Sequence, residues 1–562
     1  MENIILDYLL KNWNADQAGK IQFSAVPKGN SGDLAMNFFG LTKKSQQSPV
    51  QIAQELQKVL ENCDILEKTE IAGPYLNLFF KEEVFFEKVF ATPLQIELLK
   101  NKEIVVEFSG PNTNKPLHLG HMRNHAIGIA LSNTLEKCGA NVHRVNIIND
   151  RGIHICKSML AYQKFGNGET PESTQKKGDQ FVGDYYVKFE TESKKNPSLN
   201  DEVQEMLVAW ENEDPTIRTL WQKMNNWTLA GHQDTYNRQG VVFEKSYYES
   251  DTYKQGKKIA EEGLKKKVFE HRKDGTIVIN FEDKNLGQKV ILRADGTSIY
   301  LTNDLAVSEI RKKDFEPDEM IWVVADEQNY YFKVLFECLS RLGILDTNHL
   351  FHLGYGLVHL PDGRMKSREG NVIDADMLMN ELHEIAAQKI LKQNPNLPKQ
   401  TIYDTAEKIQ NAAWKFYLLK TSPNKSITFD KEKSIDFQGA TGPYLQYAGV
   451  RIKSILEKSG KIINPKETNF ISALSTTEKP LGIKILEFPK TLERAAIERN
   501  PTFIITYLLE LSQSWSSFYA ENSILKAKTD LLKKARLALA NKVLETLESG
   551  LSCLGIDLPE KM

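Results

Sequence analysis

The spacing of apolar and polar residues changes along the chain, and each change predicts a different kind of element. In "SPVQIAQELQKVLEN" apolar residues recur at helical spacing behind Ser48 and Pro49, which suit a cap and a first turn. "GPYLNLFF" alternates in the manner of a half-buried strand. Residues 1–97 therefore read as a small α+β unit. From Glu103 short apolar runs are separated by helical segments: "IVVEF", then a helix from His121 to Lys137 stopped by Gly139, then "VHRVNII". Strand, helix and strand joined by a right-handed crossover is the repeating unit of a doubly wound parallel sheet.

That alternation stops near Tyr162. Residues from about 163 to 250 are polar, charged and helical in pattern; strands then return in "GTIVINF", "VILRADGTSIYLT", "MIWVVAD" and "FHLGYGLVHL". The simplest account is one Rossmann-like sheet over 98–372, split by an insertion between its halves. After Asp374 the chain is helical almost throughout. Ile409, Ala413, Phe416 and Leu419 form one stripe in "AEKIQNAAWKFYLLK", inside a connecting segment over 373–438. Residues 439–562 read as an all-α helix bundle. The predicted class is α/β: a doubly wound parallel sheet, a small α+β domain before it and the bundle behind it.

Composition narrows the class without changing the architecture. At 562 residues the chain exceeds a single core, and roughly 100–200 residues per domain predicts three or four units. It is 41% hydrophobic and 26% charged, with a mean hydropathy of −0.42, as in ordinary globular proteins. No apolar run approaches the roughly 20 residues that span a bilayer, and "MENIILDYLLKNWNAD" lacks the basic start and small-residue cleavage site of a secretory signal. Cys63, Cys138, Cys156, Cys338 and Cys553 are far apart, with no Cys-x-x-Cys pair, which predicts a reducing, cytoplasmic setting and no structural metal. The net charge of −2 advertises no nucleic-acid partner, so any such partner needs local basic faces. "KAKTDLLKKARLALANK" is one candidate, though a solvated helix face is the commoner meaning of such a run.

The densest chemistry lies in "SGPNTNKPLHLGHMRNH", Ser109 to His125. His118, His121 and His125 have metal-ligand spacing, but they stand where a helix begins, and the positive end of its dipole repels a cation and attracts an anion. No cysteine and no metalloprotease glutamate accompanies them. Packing histidines are a second reading. Gly110 and Gly120 permit close backbone approach, and with Lys115 beside them the stretch suits a polyphosphate. In that reading His118 and His121 aim imidazole N–H groups at phosphate oxygens. A later loop, "LPDGRMKSREGNVID", carries Arg364, Lys366 and Arg368 between glycines; it reads either as a solvated turn or as a clamp on a leaving pyrophosphate.

The two loops in this order on a split sheet resemble the class I aminoacyl-tRNA synthetases. "HLGH" matches their His-x-Gly-His element, and "RMKSR" stands at their Lys-Met-Ser-Lys-Ser loop. "VEFSGPNTNKPLHLGHMRNHAIG", "GDYYVKF", "YLTNDLA", "GATGPYLQYAGVRI" and "LGIDLPEKM" are similar to arginyl-tRNA synthetases in particular, and the resemblance spans the chain. It implies ATP held by His118, His121, Gly120 and Met365, with Lys115, Lys366 and Arg368 as catalytic cations. It implies Glu107, Ser109 and Asn112 at the amino acid's ammonium and carboxylate, Tyr300 and Asp304 at its guanidinium, and Gln328 beside them. It implies tRNA contacts from Tyr444, Gln446, Tyr447 and Arg451, and from residues 1–97. There are departures: Ser367 replaces the loop's second lysine, Lys366 stands one place early, Glu369 replaces a residue often basic, and Tyr331 stands where many members have histidine.

The resemblance thus implies ATP-dependent attachment of L-arginine to tRNA(Arg) through an arginyl-adenylate, with Mg2+ accompanying ATP, no membrane, a monomer, and activation only once tRNA is bound. A small-molecule nucleotidyltransferase shares the first loop but needs neither the tail nor the amino-terminal unit. A non-catalytic tRNA-binding paralogue does not need His118, His121 and Asp304.

Overall fold

Between its two glutamates "EIVVE" has only apolar, largely β-branched residues, the mark of a strand covered on both faces. It forms Glu103–Glu107, the middle strand of a five-stranded sheet. The computed structural model describes residues 1–562 apart from residues 28, 46, 295–298, 362, 365–372 and 461–468. Across the sheet the strands run Leu350–Tyr355, Glu319–Ala325, Glu103–Glu107, Asn141–Ile148 and Lys245–Tyr248, every neighbouring pair parallel. The strand order reverses between Glu103–Glu107 and Glu319–Ala325. Ligand crevices open at such a switch point, beyond the carboxyl ends of the strands. The helix Leu119–Lys137 lies close against this centre, which Gly128 permits: a Cβ there would come within 2.4 Å of Phe108 Cγ.

Several expectations change. The polar stretch after Tyr162 does fold as helices, chiefly Gly178–Lys195, Leu199–Glu211 and Pro215–Gln239, around a core that includes Phe181, Phe189, Val203 and Met206. Its last residues, however, are Lys245–Tyr248, the edge strand of the parallel sheet. A short edge strand half open to solvent needs no apolar run, so "KSYY" gave no such signal. "GTIVINF" and "VILRADGTSIYLT" do not join the parallel sheet. Ile277–Phe281 and Gly287–Leu292 pair antiparallel in a separate sheet with Glu270–His271. The connection 282–286 is too short for the crossover that parallel neighbours require. The second run then gives way to a helix, Tyr300–Phe315. "FHLGYGLVHL" also divides: Leu350–Tyr355 stays in the parallel sheet, while Val358–Leu360 pairs with Ile427–Thr428 and Gly363–Arg364.

Contacts divide the chain into two units. One comprises Met1–Leu94, Ala448–Thr491 and Tyr507–Ser549. Its antiparallel sheet is ordered Gln22–Ser24, Leu34–Asn37, Tyr75–Phe80 and Leu66–Ala72, beside the helix Pro49–Leu60 with a capping box between Ser48 and Gln51. Lys479 Nζ donates to Asp33 Oδ2 at 2.7 Å and to Phe80 O at 2.9 Å, with both charged side chains nearly inaccessible. The amino-terminal segment therefore packs with part of the tail, which the plan of separate domains over 1–97 and 439–562 does not anticipate. The other unit, Gln95–Tyr447, Leu492–Thr506 and Gly550–Met562, holds the parallel sheet. There the stripe Ile409, Ala413, Phe416 and Leu419 is buried in the helix Lys399–Leu419.

At the start of the helix Gly442–Ser459, a Cβ on Gly442 would lie 2.1 Å from the backbone oxygen of Ala412. Gly442→Ala is expected to destabilise by about 1–3 kcal/mol through overpacking. Gly19→Ala, with nothing within 4 Å of its Cβ, should change stability by no more than about 0.5 kcal/mol. Thermal unfolding of the two variants checks this, and equal melting temperatures would show that the close approach carries no cost.

Candidate active site

The helix Leu119–Lys137 starts two residues earlier than its apolar pattern predicts, because a histidine caps it. His118 Nδ1 accepts from Gly120 N at 3.1 Å, and His121 Nδ1 accepts from His118 N at 3.1 Å. Backbone N–H groups left over in a first turn are ordinarily capped by Ser, Thr, Asp or Asn; here two imidazoles do it reciprocally. A ring nitrogen that accepts carries no proton, so in each neutral ring the N–H is Nε2. Burial, with the charge of Lys115 beside it, pushes His118 down to about 3, and burial holds His121 well below the usual imidazole range. Both rings are therefore neutral N–H donors at neutral pH. Gly120 is needed for the cap itself: a Cβ would come within 2.9 Å of His118 Cε1.

Lys115 precedes this cap, its backbone oxygen held by His232 Nε2 at 3.0 Å. Burial lowers its pKa, and among the described residues its ammonium has no hydrogen-bond or ion-pair partner. On the other side, Leu119 N donates to Ile373 O and Ala375 N to Leu117 O, both at 3.0 Å. The chain that follows the second predicted loop is thus bound directly to the first. Met365, Lys366 and Arg368 lie outside the described residues.

Asn124 and His125, one turn further along the helix, connect this end to a cleft of about 760 Å³. Glu107, Ser109, Asn112, Tyr300, Asp304 and Gln328, separated widely in sequence, all line that cleft. Asn124 Oδ1 accepts from Ser109 N at 2.5 Å, and its Nδ2 donates to Val323 O at 2.6 Å, so one side chain spans the switch point. His125 Nδ1 donates to Gln239 Oε1 at 2.6 Å, and Nε2 then accepts from Ser109 Oγ at 2.8 Å. Tyr236 OH completes the set by donating to Ser109 Oγ at 2.7 Å. With both nitrogens engaged, His125 has none left for a metal. These contacts hold Ser109 at φ +82, a left-handed conformation that costs a non-glycine residue about 1–3 kcal/mol. The Ser109 proton is committed to His125, which leaves an oxygen lone pair for an incoming donor.

One end of the cleft is acidic. Glu107 closes its strand in an ion pair with the buried Arg311. Asp304, in the first turn of Tyr300–Phe315, accepts from Tyr331 OH. Burial pushes Asp304 up to about 7; the Tyr331 hydroxyl and Arg311 oppose the rise, and Glu107 and Glu249 add to it. Glu249, also raised by burial, accepts from Asn303 Nδ2 at 3.2 Å and lines the same cleft. Tyr300 is 75% exposed at the rim, and Gln328 is exposed in the turn Asp326–Gln328. Arg151 and Arg293 also line the cleft, but among the described residues only Glu107 of these carboxyl groups is ion-paired, which suits a ligand that carries positive charge.

Glu249 was missed by sequence reasoning, as were the parts played by Asn124, His125, Tyr236 and Gln239. Recognising "KSYY" as a sheet strand would have marked Glu249, just past its carboxyl end, as a crevice residue. Tyr236 and Gln239 come from the insertion and carry no local sign of what they meet.

In the tail, Tyr444 is half-buried, Tyr447 is 40% exposed and Arg451 is exposed. Gln446 departs from its expected role. It is wholly buried, and its Nε2 donates to Lys408 O at 3.1 Å and Asp557 O at 2.6 Å, so it fastens the carboxyl-terminal segment and presents nothing to a base.

Comparison with known proteins identifies the family. Residues 87–430 match the family model for the catalytic domain of class I (R) tRNA synthetases. Residues 4–80 match the arginyl tRNA synthetase N terminal domain, and residues 445–562 the DALR anticodon binding domain. The arginine–tRNA ligase of Treponema denticola is 42% identical over 560 residues, covering 97% of this chain and 95% of that protein. That of Bacteroides thetaiotaomicron is 39% identical over 570 residues, covering 96% of each. The structure of Thermus thermophilus arginyl-tRNA synthetase superposes with a TM-score of 0.86 at 25% identity, over 100% of this chain and 99% of that one. The Plasmodium falciparum enzyme shares the fold, with a TM-score of 0.80 at 19% identity over 100% and 98%. With such identities sustained over nearly its whole length, the chain belongs to the arginyl-tRNA synthetase family of class I aminoacyl-tRNA synthetases.

Proposed function

We propose that the chain attaches L-arginine to tRNA at the expense of ATP, with the guanidinium at the acidic end of the cleft and ATP at the histidine-capped helix. The observation that carries this reading is the gathering of Glu107, Glu249 and Asp304 on one cleft at the switch point. A planar guanidinium with five donors is matched by fixed carboxylates. A ligand lacking those donors leaves the buried acceptors unpaired and is rejected. Ser109, held as an acceptor, takes the ammonium, with Asn112 and Gln328 at the amino-acid end and Tyr300 at the rim.

In the first step an arginine carboxylate oxygen attacks the α-phosphorus of ATP, the bond to the β-phosphate bridging oxygen breaks, and pyrophosphate leaves. The neutral His118 and His121 donate Nε2–H to the phosphate oxygens without transferring a proton, and the helix N-terminus adds aligned dipoles. Lys115 supplies a cation, with Lys366 and Arg368 as further cations and Met365 against the nucleotide. Magnesium brought with ATP would supply further charge neutralisation during this step. In the second step the terminal adenosine 2′-hydroxyl of tRNA attacks the arginyl carbonyl and AMP leaves. Residues 1–97, with Tyr444, Tyr447 and Arg451, are the proposed tRNA contacts, on a monomer in the cytoplasm.

Asp304→Asn is expected to cost about 1.5–3 kcal/mol of arginine binding, a rise of roughly 10–150-fold in KM, and to narrow discrimination against neutral citrulline. An unchanged KM in a folded variant removes Asp304 from the pocket. ATP–pyrophosphate exchange should require both arginine and tRNA; robust arginine-dependent exchange without RNA contradicts the tRNA requirement, and no exchange under any condition leaves only the binding paralogue. Lys115→Met should lower kcat for adenylate formation by about 10²–10³ with little change in the KM for ATP. A near-normal kcat in that variant, with collapse in Lys366→Met, assigns the main phosphate cation to the later loop instead.

A further inference from the structure

Tyr331 lines the cleft from the helix Asn329–Arg341, which follows the strand Glu319–Ala325, and its hydroxyl reaches Asp304. The neighbouring Phe332 stacks on His352 at 4.1 Å and meets Trp322 at 6.0 Å, which fixes the helix beside the site. Among the described residues, the Tyr331 hydroxyl is the sole hydrogen-bond donor to the Asp304 carboxyl group. We propose that Tyr331 is a positioning residue for substrate selection: by donating to Asp304 Oδ2 it favours the charged carboxylate and leaves Oδ1 to accept from a guanidinium. The inference rests on the cleft being the arginine site and adds which residue tunes it.

The charged and titratable groups facing Asp304 explain why a single hydroxyl matters. Its own helix presents Arg311, which is engaged by Glu107 of the central strand. The helix Glu249–Thr252 presents Glu249, and the helix Asn329–Arg341 presents Tyr331. Glu107 and Glu249 repel a charge on Asp304, and Arg311 compensates for only part of that. Burial and the charge of Asp304 keep the Tyr331 hydroxyl well above its ordinary pKa of 10, so it remains an O–H donor at any working pH.

The sign of the pH dependence follows. A guanidinium takes the ionised form of Asp304, whose midpoint in the free cleft is about 7. Arginine KM should therefore fall as pH rises through that value. Tyr331→Phe removes a donor to the charged form and should move the midpoint up by about one pH unit. Arginine KM then rises several-fold near neutrality and returns toward the wild-type value by about pH 8.5. Tyr331→His, which keeps a ring N–H donor, should lie between the two. A purely structural role predicts the same rise in KM at every pH, and that result, or a wild-type midpoint in Tyr331→Phe, overturns the proposal. Asp304→Asn separates the two levels of inference. It should flatten the profile; if it changes neither KM nor profile, the arginine site itself is wrong, whereas a flattened profile beside an unshifted Tyr331→Phe refutes only the role of Tyr331.

Discussion

The site depends on how closely one helix approaches two strands that diverge. Asn124 joins Ser109 N to Val323 O, and so ties the segments following Glu103–Glu107 to Glu319–Ala325 across the switch point. That tie requires Leu119–Lys137 to lie almost in contact with the sheet, which Gly128 permits against Phe108. Once the helix is there, its capped end and the cleft are parts of one object. A displacement of 1 Å breaks both Asn124 bonds and leaves buried amide groups unpaired, at about 1–3 kcal/mol each.

The same geometry segregates charge. At the helix end, burial suppresses imidazolium formation, so each ring keeps one N–H, and burial also lowers the pKa of Lys115 beside them. At the far end, Glu107, Glu249 and Asp304 share the cleft with Arg151 and Arg293; Glu107 is ion-paired with Arg311, and Glu107 and Glu249 both act against a charge on the buried Asp304. Unit charges 4 Å apart interact by about 4 kcal/mol at an effective dielectric near 20. Burial, with a smaller push from Glu107 and Glu249, raises Asp304 to about 7.

The insertion takes part in this arrangement. Its helix Pro215–Gln239 brings Tyr236 and Gln239 to the Ser109 relay and His232 to the backbone of Lys115. A buried ionic cluster, in which Lys177 meets Asp376 at 2.5 Å and Asp179 at 3.1 Å, binds the insertion to the start of the helix Ala375–Gln393. The segment therefore braces both chain regions at which the signature loops stand.

The amino-acid sequence by itself determined the class of fold and which polar residues were available to a site. Apolar runs marked Glu103–Glu107 and Glu319–Ala325, helical periodicity marked the tail, and the resemblance of its motifs pointed to His118, His121 and Asp304. These features are local: a strand covered on both faces has to be apolar, and a phosphate loop needs donors and small residues close together in sequence. The tertiary structure decided what depends on partners distant in the chain. It made "KSYY" a sheet edge and brought Glu249 to the cleft, turned Gln446 inward to hold Asp557, and set the Tyr331 hydroxyl on Asp304. Such roles arise from a neighbour's charge, burial or backbone approach, and those exist only once the chain is packed.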